Sequence, residues 1–331
     1  MRRPRREDLE RHQIPIAFSG LVAGILTGLG YPDLASLWEA LVYPTLGLLL
    51  YATFLQIPFA SLRRAFADRR YLVATLTANF VVVPWVVWSL LHLAPPEPDV
   101  RLGMALVLLT PCVDYVIVFT RLGGGNYQAV LASTPALVIV QMLALPIGLW
   151  LLLGEAAAQI VEPRPFLEAF AFLIAVPLLC ALLAQWSACR STVGSHLTRF
   201  AAWLPVPAMS LTLFFVVGSQ ISRFGTGFVH LGHVALLYAT FHVVMLFLGS
   251  AVARSFRLDV ERARAITFSA MTRNSLVVLP LALALPVEYS LAALTVVTQT
   301  LVELVGLLVA VRIVPRLLPQ QAGARGSTAG E

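Results

Sequence analysis

The chain alternates long apolar stretches with short polar ones over almost its whole length. A helix needs about 20 consecutive, mostly apolar residues to cross the hydrocarbon core of a bilayer. Ten stretches approach this length, so the pattern predicts an all-α integral membrane protein with ten transmembrane helices. The predicted spans cover residues 14–30, 40–60, 71–93, 102–121, 127–153, 166–187, 201–221, 228–250, 263–285 and 289–313.

The composition supports a membrane protein. Of the 331 residues, 59% are hydrophobic and 12% are charged, whereas a soluble domain has about 45–50% apolar and about 25% charged residues. The polar stretches are too short to form a soluble domain of their own. We therefore expect residues 1–13 and 315–331 to be short tails around a membrane region that makes up the rest of the chain.

The basic residues indicate the orientation in the membrane. All 23 are arginines, and with 17 acidic residues they give a net charge of +6. Most of them fall in alternate loops, which is the distribution of cytoplasmic loops in multi-pass proteins. We therefore predict a protein of the inner (plasma) membrane with both termini in the cytoplasm, whose partner is the lipid bilayer and not nucleic acid.

Two predicted spans are interrupted at matching positions. The fourth is broken by TPCVD at 110–114 and the ninth by MTRN at 271–274, with Pro280 just beyond. Ten spans divide into two repeats, 14–160 and 161–314, and five spans per repeat place the second in the inverted orientation. Broken helices in inverted repeats hold the substrate site of many secondary transporters. An offset of 162 residues superposes Cys112 on Asn274 and Gln141 on Glu303.

Three ionisable residues fall inside predicted spans, namely Asp114, Arg273 and Glu303. Such groups are costly in a membrane and usually have a function. Arginine stays protonated, whereas a buried carboxylate without a full partner can bind a proton near neutral pH. One acid could thus pair with Arg273 while the other carries a proton, and the sequence leaves open which. The structural alternative is a fixed ion pair that joins the broken helices.

Further polar residues accompany these charges. Thr295, Gln299 and Glu303 are spaced four residues apart and share one face of the tenth helix. Gln141 and Thr272 are the other supporting polar residues that we predict for the site. The glycine-rich LGGGN at 122–126 lacks the GK[ST] of a phosphate-binding loop and is predicted to be a flexible turn.

Cys112 follows a proline inside the fourth span. A single thiol suits weak and reversible binding of a soft centre, although buried cysteines are often only small packing residues. The three cysteines lack the spacing of a metal site or a disulfide framework. We therefore predict no bound metal and no cofactor. Paired-histidine and Ser/His arrangements are also missing at the breaks, so an intramembrane enzyme is not expected.

Three segments resemble a known family. TPCVDYVIVFTRLGGGN at 110–126, TRNSLVVLPLALALP at 272–286 and VTQTLVELVGLLV at 297–309 resemble the Acr-type arsenite permeases of the bile acid/arsenite/riboflavin transporter superfamily. The resemblance implies a bile acid symporter-like fold in which crossed broken helices pack against a panel of other helices. It also implies export of arsenite, with antimonite as a candidate second cargo, by antiport against protons.

The resemblance assigns roles to residues at the breaks. It connects Cys112 and Glu303 with arsenite export. In the implied site Cys112 contacts the metalloid, while Thr110, Asn274 and Ser275 hydrogen-bond its hydroxyl groups. Glu303 or Asp114 exchanges a proton for the cargo. Arg273 balances the charge.

The alternative within the same fold is a transporter of an organic anion bound by Arg273. In the sodium-coupled branch of the superfamily, the ninth span carries sodium ligands where this chain has Ser269 and Arg273. A guanidinium at that position should repel sodium, so sodium coupling is the less favoured form of the alternative. The oligomeric state is not indicated by the sequence.

Overall fold

The computed structural model describes residues 13–57, 68–113, 115–154, 175–188, 203–220, 228–283 and 291–319, together with a few single positions between them. Within these ranges the chain is helical and contains no β-strand. The helices are α1 Gln13–Gly30, α2 Ala35–Phe54, α3 Arg69–Thr77, α4 Val83–Leu93, α5 Pro98–Leu108, α6 Tyr115–Leu122, α7 Tyr127–Leu153, α8 Val176–Ala188, α9 Pro205–Gln220, α10 Phe228–Ser255, α11 Val260–Met271, α12 Ser275–Leu283 and α13 Leu291–Leu317. A π-helical turn, Ala78–Val82, joins α3 to α4.

These helices coincide with the positions of the predicted spans. By length and composition, the described residues contain five helices able to cross a membrane: Pro32–Phe54, Arg69–Leu93, Tyr127–Leu153, Leu231–Ser255 and Leu291–Leu317. Phe18–Gly30, Val176–Ala188 and Pro205–Ser219 are shorter apolar helices. The all-helical membrane architecture is therefore supported, while the count of ten crossings, the inverted repeats and their boundaries stay predictions.

The helices form two groups that pack mainly within themselves. Helices α1, α2, α8 and α9 form one group, which we call the panel. Helices α3 to α7 and α10 to α13 form the other, which we call the bundle. Contacts of α2 with α12 and of α9 with α13 connect the two groups. The Tyr43 hydroxyl, for example, donates a hydrogen bond to the Leu283 carbonyl at 3.2 Å.

The panel depends on a close approach of α1 and α9. A Cβ atom added to Gly24 would lie 2.7 Å from the Phe214 carbonyl oxygen, and one added to Gly20 would collide with the carbonyl oxygen and hydroxyl of Ser210. Since the colliding atoms of Phe214 are backbone, a larger residue must push the helices apart. Glycine at these positions is therefore a packing requirement and not a source of flexibility.

We expect Gly24→Leu to lower the free energy of unfolding by about 1–3 kcal/mol because it overpacks this crossing. Thermal unfolding in detergent measures the effect. Gly47 in α2 is the matched control, since nothing lies within 4 Å of a Cβ added there. Gly47→Ala should raise stability slightly through helix propensity, and a similar loss in both variants would contradict this account.

The glycine-rich turn at 122–126 packs closely against another helix, which the prediction of a flexible turn did not include. A Cβ atom on Gly123 would collide with the Phe268 ring, and Gly124 has a positive φ of 66° that favours glycine. The Gly124 carbonyl also accepts a hydrogen bond from Nη1 of Arg264 at 3.0 Å. The glycines thus let the turn pack against α11, a contact between segments about 140 residues apart that a local pattern does not reveal.

Candidate functional site

The two predicted breaks lie next to each other in the bundle. Helix α5 ends at Leu108, shortly before Pro111, which has no backbone N–H to continue a helix. Helix α11 ends at Met271, and Thr272 has extended backbone angles. Pro111 and Arg273 form an isolated antiparallel bridge. We call the segments 109–113 and 272–274, with the side chains around them, the crossing.

Backbone hydrogen bonds hold the crossing together. The Cys112 N–H donates to the Thr272 carbonyl at 3.3 Å, and the Asn274 N–H donates to the Thr110 carbonyl at 2.8 Å. The Asn274 side chain begins the next helix, because its Oδ1 atom accepts a hydrogen bond from the Val277 N–H at 3.2 Å. Ends of four helices therefore meet here, with partial negative charge at the C-termini of α5 and α11 and partial positive charge at the N-termini of α6 and α12.

Arg273 is buried, with 1% of its surface exposed. Its Nη2 atom donates to Asn79 Oδ1 at 2.7 Å, to the Ser269 carbonyl at 2.8 Å and to the Ala270 carbonyl at 3.0 Å. Its Nη1 atom donates to the Leu108 carbonyl at 3.3 Å. The guanidinium thus interacts with the C-terminal ends of α5 and α11 and with the π-helical turn.

Glu303 contacts the same residue through the main chain. Its Oε2 atom accepts a hydrogen bond from the Arg273 backbone N–H at 2.8 Å and a short one from Nε2 of Gln299. Glu303 is 2% exposed, and both Gln299 and Thr295 are fully buried. The predicted polar face of the tenth span therefore points into the protein, and Glu303 connects it to the crossing.

The other predicted substrate residues are buried around these charges. Cys112 is fully buried. The hydroxyl of Thr110 donates to the Leu106 carbonyl at 2.8 Å, and that of Thr272 donates to the Phe268 carbonyl at 2.9 Å. The Ser275 hydroxyl lies 2.6 Å from that of Thr300. Hydroxyl groups of the threonines can still accept a hydrogen bond from a ligand, since their donors are already used.

Several buried polar atoms of the crossing have no hydrogen-bond partner in the structure. They are Asn274 Nδ2, Gln299 Oε1 and Arg273 Nε, and Thr295 Oγ1, two turns before Glu303 in α13, has none either. A buried polar atom without a partner costs free energy, so it usually has a partner such as water or a ligand. The crossing therefore offers both donors and acceptors to a small polar solute.

Two predicted site residues are not brought into this set. Asp114 lies outside the described residues, so its predicted role is not addressed by the structure. Gln141 is buried in α7, and its Oε1 atom has no hydrogen-bond partner. Gln141 takes no part in the hydrogen bonds of the crossing described here, and its role as a supporting residue stays a prediction. Among the described residues, no group of three or more His, Cys, Asp or Glu side chains could hold a metal ion.

Two functional partners were missed by the sequence analysis. Asn79 lies in the π-helical turn and binds Arg273, although 194 positions separate the two residues. Thr300 binds Ser275 from the face of α13 that carries Glu303. The one available signal for Asn79 was an amide in the middle of an apolar span, since π-helical turns often occur at functional sites but cannot be read from the sequence.

Comparison with protein families gives a match to the sodium bile acid symporter family over residues 43–226. The chain belongs to the sodium bile acid symporter family. The match contains the first break with Cys112 and ends before the second. It supports the predicted superfamily but does not distinguish an arsenite permease within it. Comparison with curated protein sequences gives no significant match. Membership in this family, together with the apolar helices, indicates a multi-pass membrane transporter of the bile acid, organic anion or arsenite type.

Proposed function

We propose that this member of the sodium bile acid symporter family is a secondary active transporter, and not an enzyme, that exports arsenite by proton antiport. Antimonite is a candidate second cargo. The protein would act in the inner membrane with both termini in the cytoplasm. The observation that carries the proposal is a buried thiol at the crossing, surrounded by buried polar atoms without partners and by a buried carboxylate.

Cys112 is the proposed contact of the metalloid. Trivalent arsenic is a soft centre that prefers thiols to oxygen ligands, and one thiol binds it more reversibly than a set of three would. When one As–S bond forms, one As–OH bond breaks, and the hydroxyl leaves as water with the thiol proton. The reverse reaction releases the cargo, so the step needs no oxidant or reductant.

The remaining hydroxyl groups of arsenite need polar partners in a dry site. Asn274 Nδ2 supplies a free donor and Gln299 Oε1 a free acceptor. The hydroxyl groups of Thr110 and Ser275 complete the proposed set. Arsenite is mostly neutral near pH 7, and these neutral groups match it better than a site in which charged groups bind the cargo directly.

Glu303 is the proposed proton carrier. As a carboxylate it accepts hydrogen bonds from the Arg273 N–H and from Gln299. Protonation weakens both bonds, because a neutral carboxyl is a poorer acceptor than a carboxylate. Since one of these bonds holds the backbone of the second break, binding of a proton would loosen the crossing at the cargo site. Asp114 remains the alternative carrier.

A second candidate function is transport of an organic anion, which the positive charge of Arg273 and the family both favour. The Nε atom of Arg273 has no partner and could bind a carboxylate or sulfonate. Against this function, its terminal nitrogens already donate to the oxygen atoms of Asn79, Ser269, Ala270 and Leu108. An anion would have to compete with these bonds, so arsenite is the cargo that we favour.

We expect Cys112→Ser to reduce arsenite uptake into everted vesicles, driven by an imposed proton gradient, to the level of vesicles without the protein. Serine keeps the size of the side chain but not its affinity for a soft centre. Cys180→Ser is the matched control, because Cys180 is exposed on α8, and it should transport like the wild type. Undiminished arsenite uptake by Cys112→Ser would contradict the proposed contact. No arsenite uptake by a folded wild type would redirect the search to organic anions.

A further inference from the structure

The guanidinium of Arg273 is bound as a small metal cation would be. Three oxygen atoms, from Asn79, Ser269 and Ala270, converge on the single nitrogen Nη2 at 2.7 to 3.0 Å. The Nη2 atom carries two hydrogens and can therefore donate two linear hydrogen bonds. Three oxygens at hydrogen-bond distance are one more than it can serve in this way. A convergence of oxygens on one point is the geometry of coordination, whereas an arginine that recognises an anion usually offers its two-pronged edge.

The oxygens belong to groups that suit a monovalent cation. Three are main-chain carbonyls from the last turns of α5 and α11, where the helix dipole adds partial negative charge. Unwound carbonyls and the C-terminal ends of half-helices bind alkali ions in broken-helix transporters. The fourth is the amide oxygen of Asn79, which is oriented because its Nδ2 atom donates to Ser269 Oγ and to the Thr75 carbonyl, both at 3.0 Å.

The four oxygens are all uncharged, which also favours a bound cation with a single positive charge. None of these four oxygens belongs to a carboxylate, and Glu303 accepts a hydrogen bond from the main-chain N–H of Arg273. A divalent ion would require more negative ligands in a buried site. The guanidinium fills the position and carries the charge, so a mobile cation meets both a steric and an electrostatic barrier.

We propose that Arg273 is a tethered substitute for a metal cation, held in a site formed by the oxygens of Asn79, Leu108, Ser269 and Ala270, and that its removal opens this site to an alkali metal ion. The intact protein then carries a permanent cation at its crossing and needs no alkali ion for stability or transport. This goes beyond the exclusion of sodium, because it predicts that a cation dependence can be created. The site would exist whatever the cargo is.

The test is thermal unfolding of the purified protein in detergent, with NaCl, KCl or LiCl exchanged for choline chloride at constant ionic strength. The wild type should respond equally to all four salts. Arg273→Gln should unfold at a lower temperature in choline chloride. One alkali ion should then raise its unfolding midpoint saturably, by about 2–4 °C. Because the three alkali ions differ in radius, the ion that raises the midpoint indicates the size of the cation site.

Two variants act as controls. Arg273→Lys keeps a tethered positive charge and should show no response to alkali ions. Arg264→Gln removes a second buried arginine of the described residues, whose guanidinium donates to the carbonyls of Leu318 and Gly124. No three oxygens converge on one of its nitrogens in these bonds, so this variant should lose stability without gaining a cation response.

Two results would overturn the proposal. One is a saturable response of the wild type to an alkali ion, or saturable binding of radioactive sodium to it. The other is a folded Arg273→Gln variant that behaves identically in alkali and choline salts. If Arg273→Gln cannot be purified, the double variant Arg273→Gln/Glu303→Gln serves the same test, because it leaves no buried charge uncompensated. Neither result would bear on the arsenite proposal, which is tested separately by vesicle uptake.

Discussion

Glu303→Gln is expected to abolish gradient-driven arsenite transport while the protein stays folded. The Oε1 atom of glutamine can still accept the hydrogen bond from the Arg273 N–H that Glu303 accepts at 2.8 Å. The free energy of unfolding should therefore change by about 1 kcal/mol. An amide cannot bind and release a proton in the physiological range, so the imposed gradient loses its effect. Uptake into everted vesicles, compared with and without the gradient, measures this loss.

Two further variants make the result specific. Glu303→Ala removes the acceptor as well as the charge, and because it leaves buried partners unpaired it should cost about 3–5 kcal/mol of stability. Asp114→Asn tests the other predicted proton carrier. Gradient-driven uptake that survives in Glu303→Gln but not in Asp114→Asn would contradict the role of Glu303 and assign the proton to Asp114. Loss in both variants would indicate that the two acids act together.

Asn79→Leu is expected to lower the free energy of unfolding by about 2–4 kcal/mol, since it removes an acceptor from a buried charge. Leucine has a similar size but offers no oxygen to Nη2 of Arg273, which lies 2.7 Å from Asn79 Oδ1. It also leaves the Ser269 hydroxyl without the donor it has from Asn79. Transport should fall with stability, because the guanidinium is no longer held away from the cargo. Thermal unfolding and vesicle uptake test both effects.

Asn79→Asp is the matched control for this prediction. Aspartate keeps an oxygen at the position and adds a charge-assisted bond to the guanidinium, although it loses the donor to Thr75 and Ser269. We expect it to retain more stability than Asn79→Leu. If the leucine variant is as stable as the wild type, Asn79 is not the support of Arg273 that the distances indicate.

Residue 273 takes part in the crossing through two separate groups. Its backbone N–H binds Glu303, and its side chain binds the oxygens of Asn79 and the helix ends. A proton on Glu303 can therefore weaken the hold on the backbone while the guanidinium stays in place. If Glu303 exchanges the proton as proposed, the exchangeable charge acts on the main chain of residue 273, whereas the fixed charge is held through its side chain.

The local properties of the chain were sufficient to predict several features. Apolar length is a property of each segment, so the helices lie where the spans were predicted. Pro111 marks the first break because proline cannot continue a helix hydrogen bond. Arg273 and Glu303 were found because charges in apolar spans are costly and rare. Each of these signals can be read within about one helix length.

The tertiary structure decided which of these residues meet. The matching positions of the breaks predicted that they approach each other, but their backbone pairing at Pro111 and Arg273 joins segments far apart in the chain. The pairing of an acid with Arg273 stays a prediction, and the hydrogen bond that joins Glu303 to this residue is made with its main-chain N–H. The glycines at 123 and 124 proved to be packing residues, because Phe268 and Arg264 come from another helix.

Asn79 shows most clearly why the sequence alone was insufficient. It is one amide in an apolar span, and its importance arises from an arginine 194 positions away. Periodicity and propensity describe what a residue does within its own helix. A hydrogen bond between helices depends on how they pack, so the sequence by itself determined the helices and their breaks, and only the packing decided which oxygens surround the buried cation.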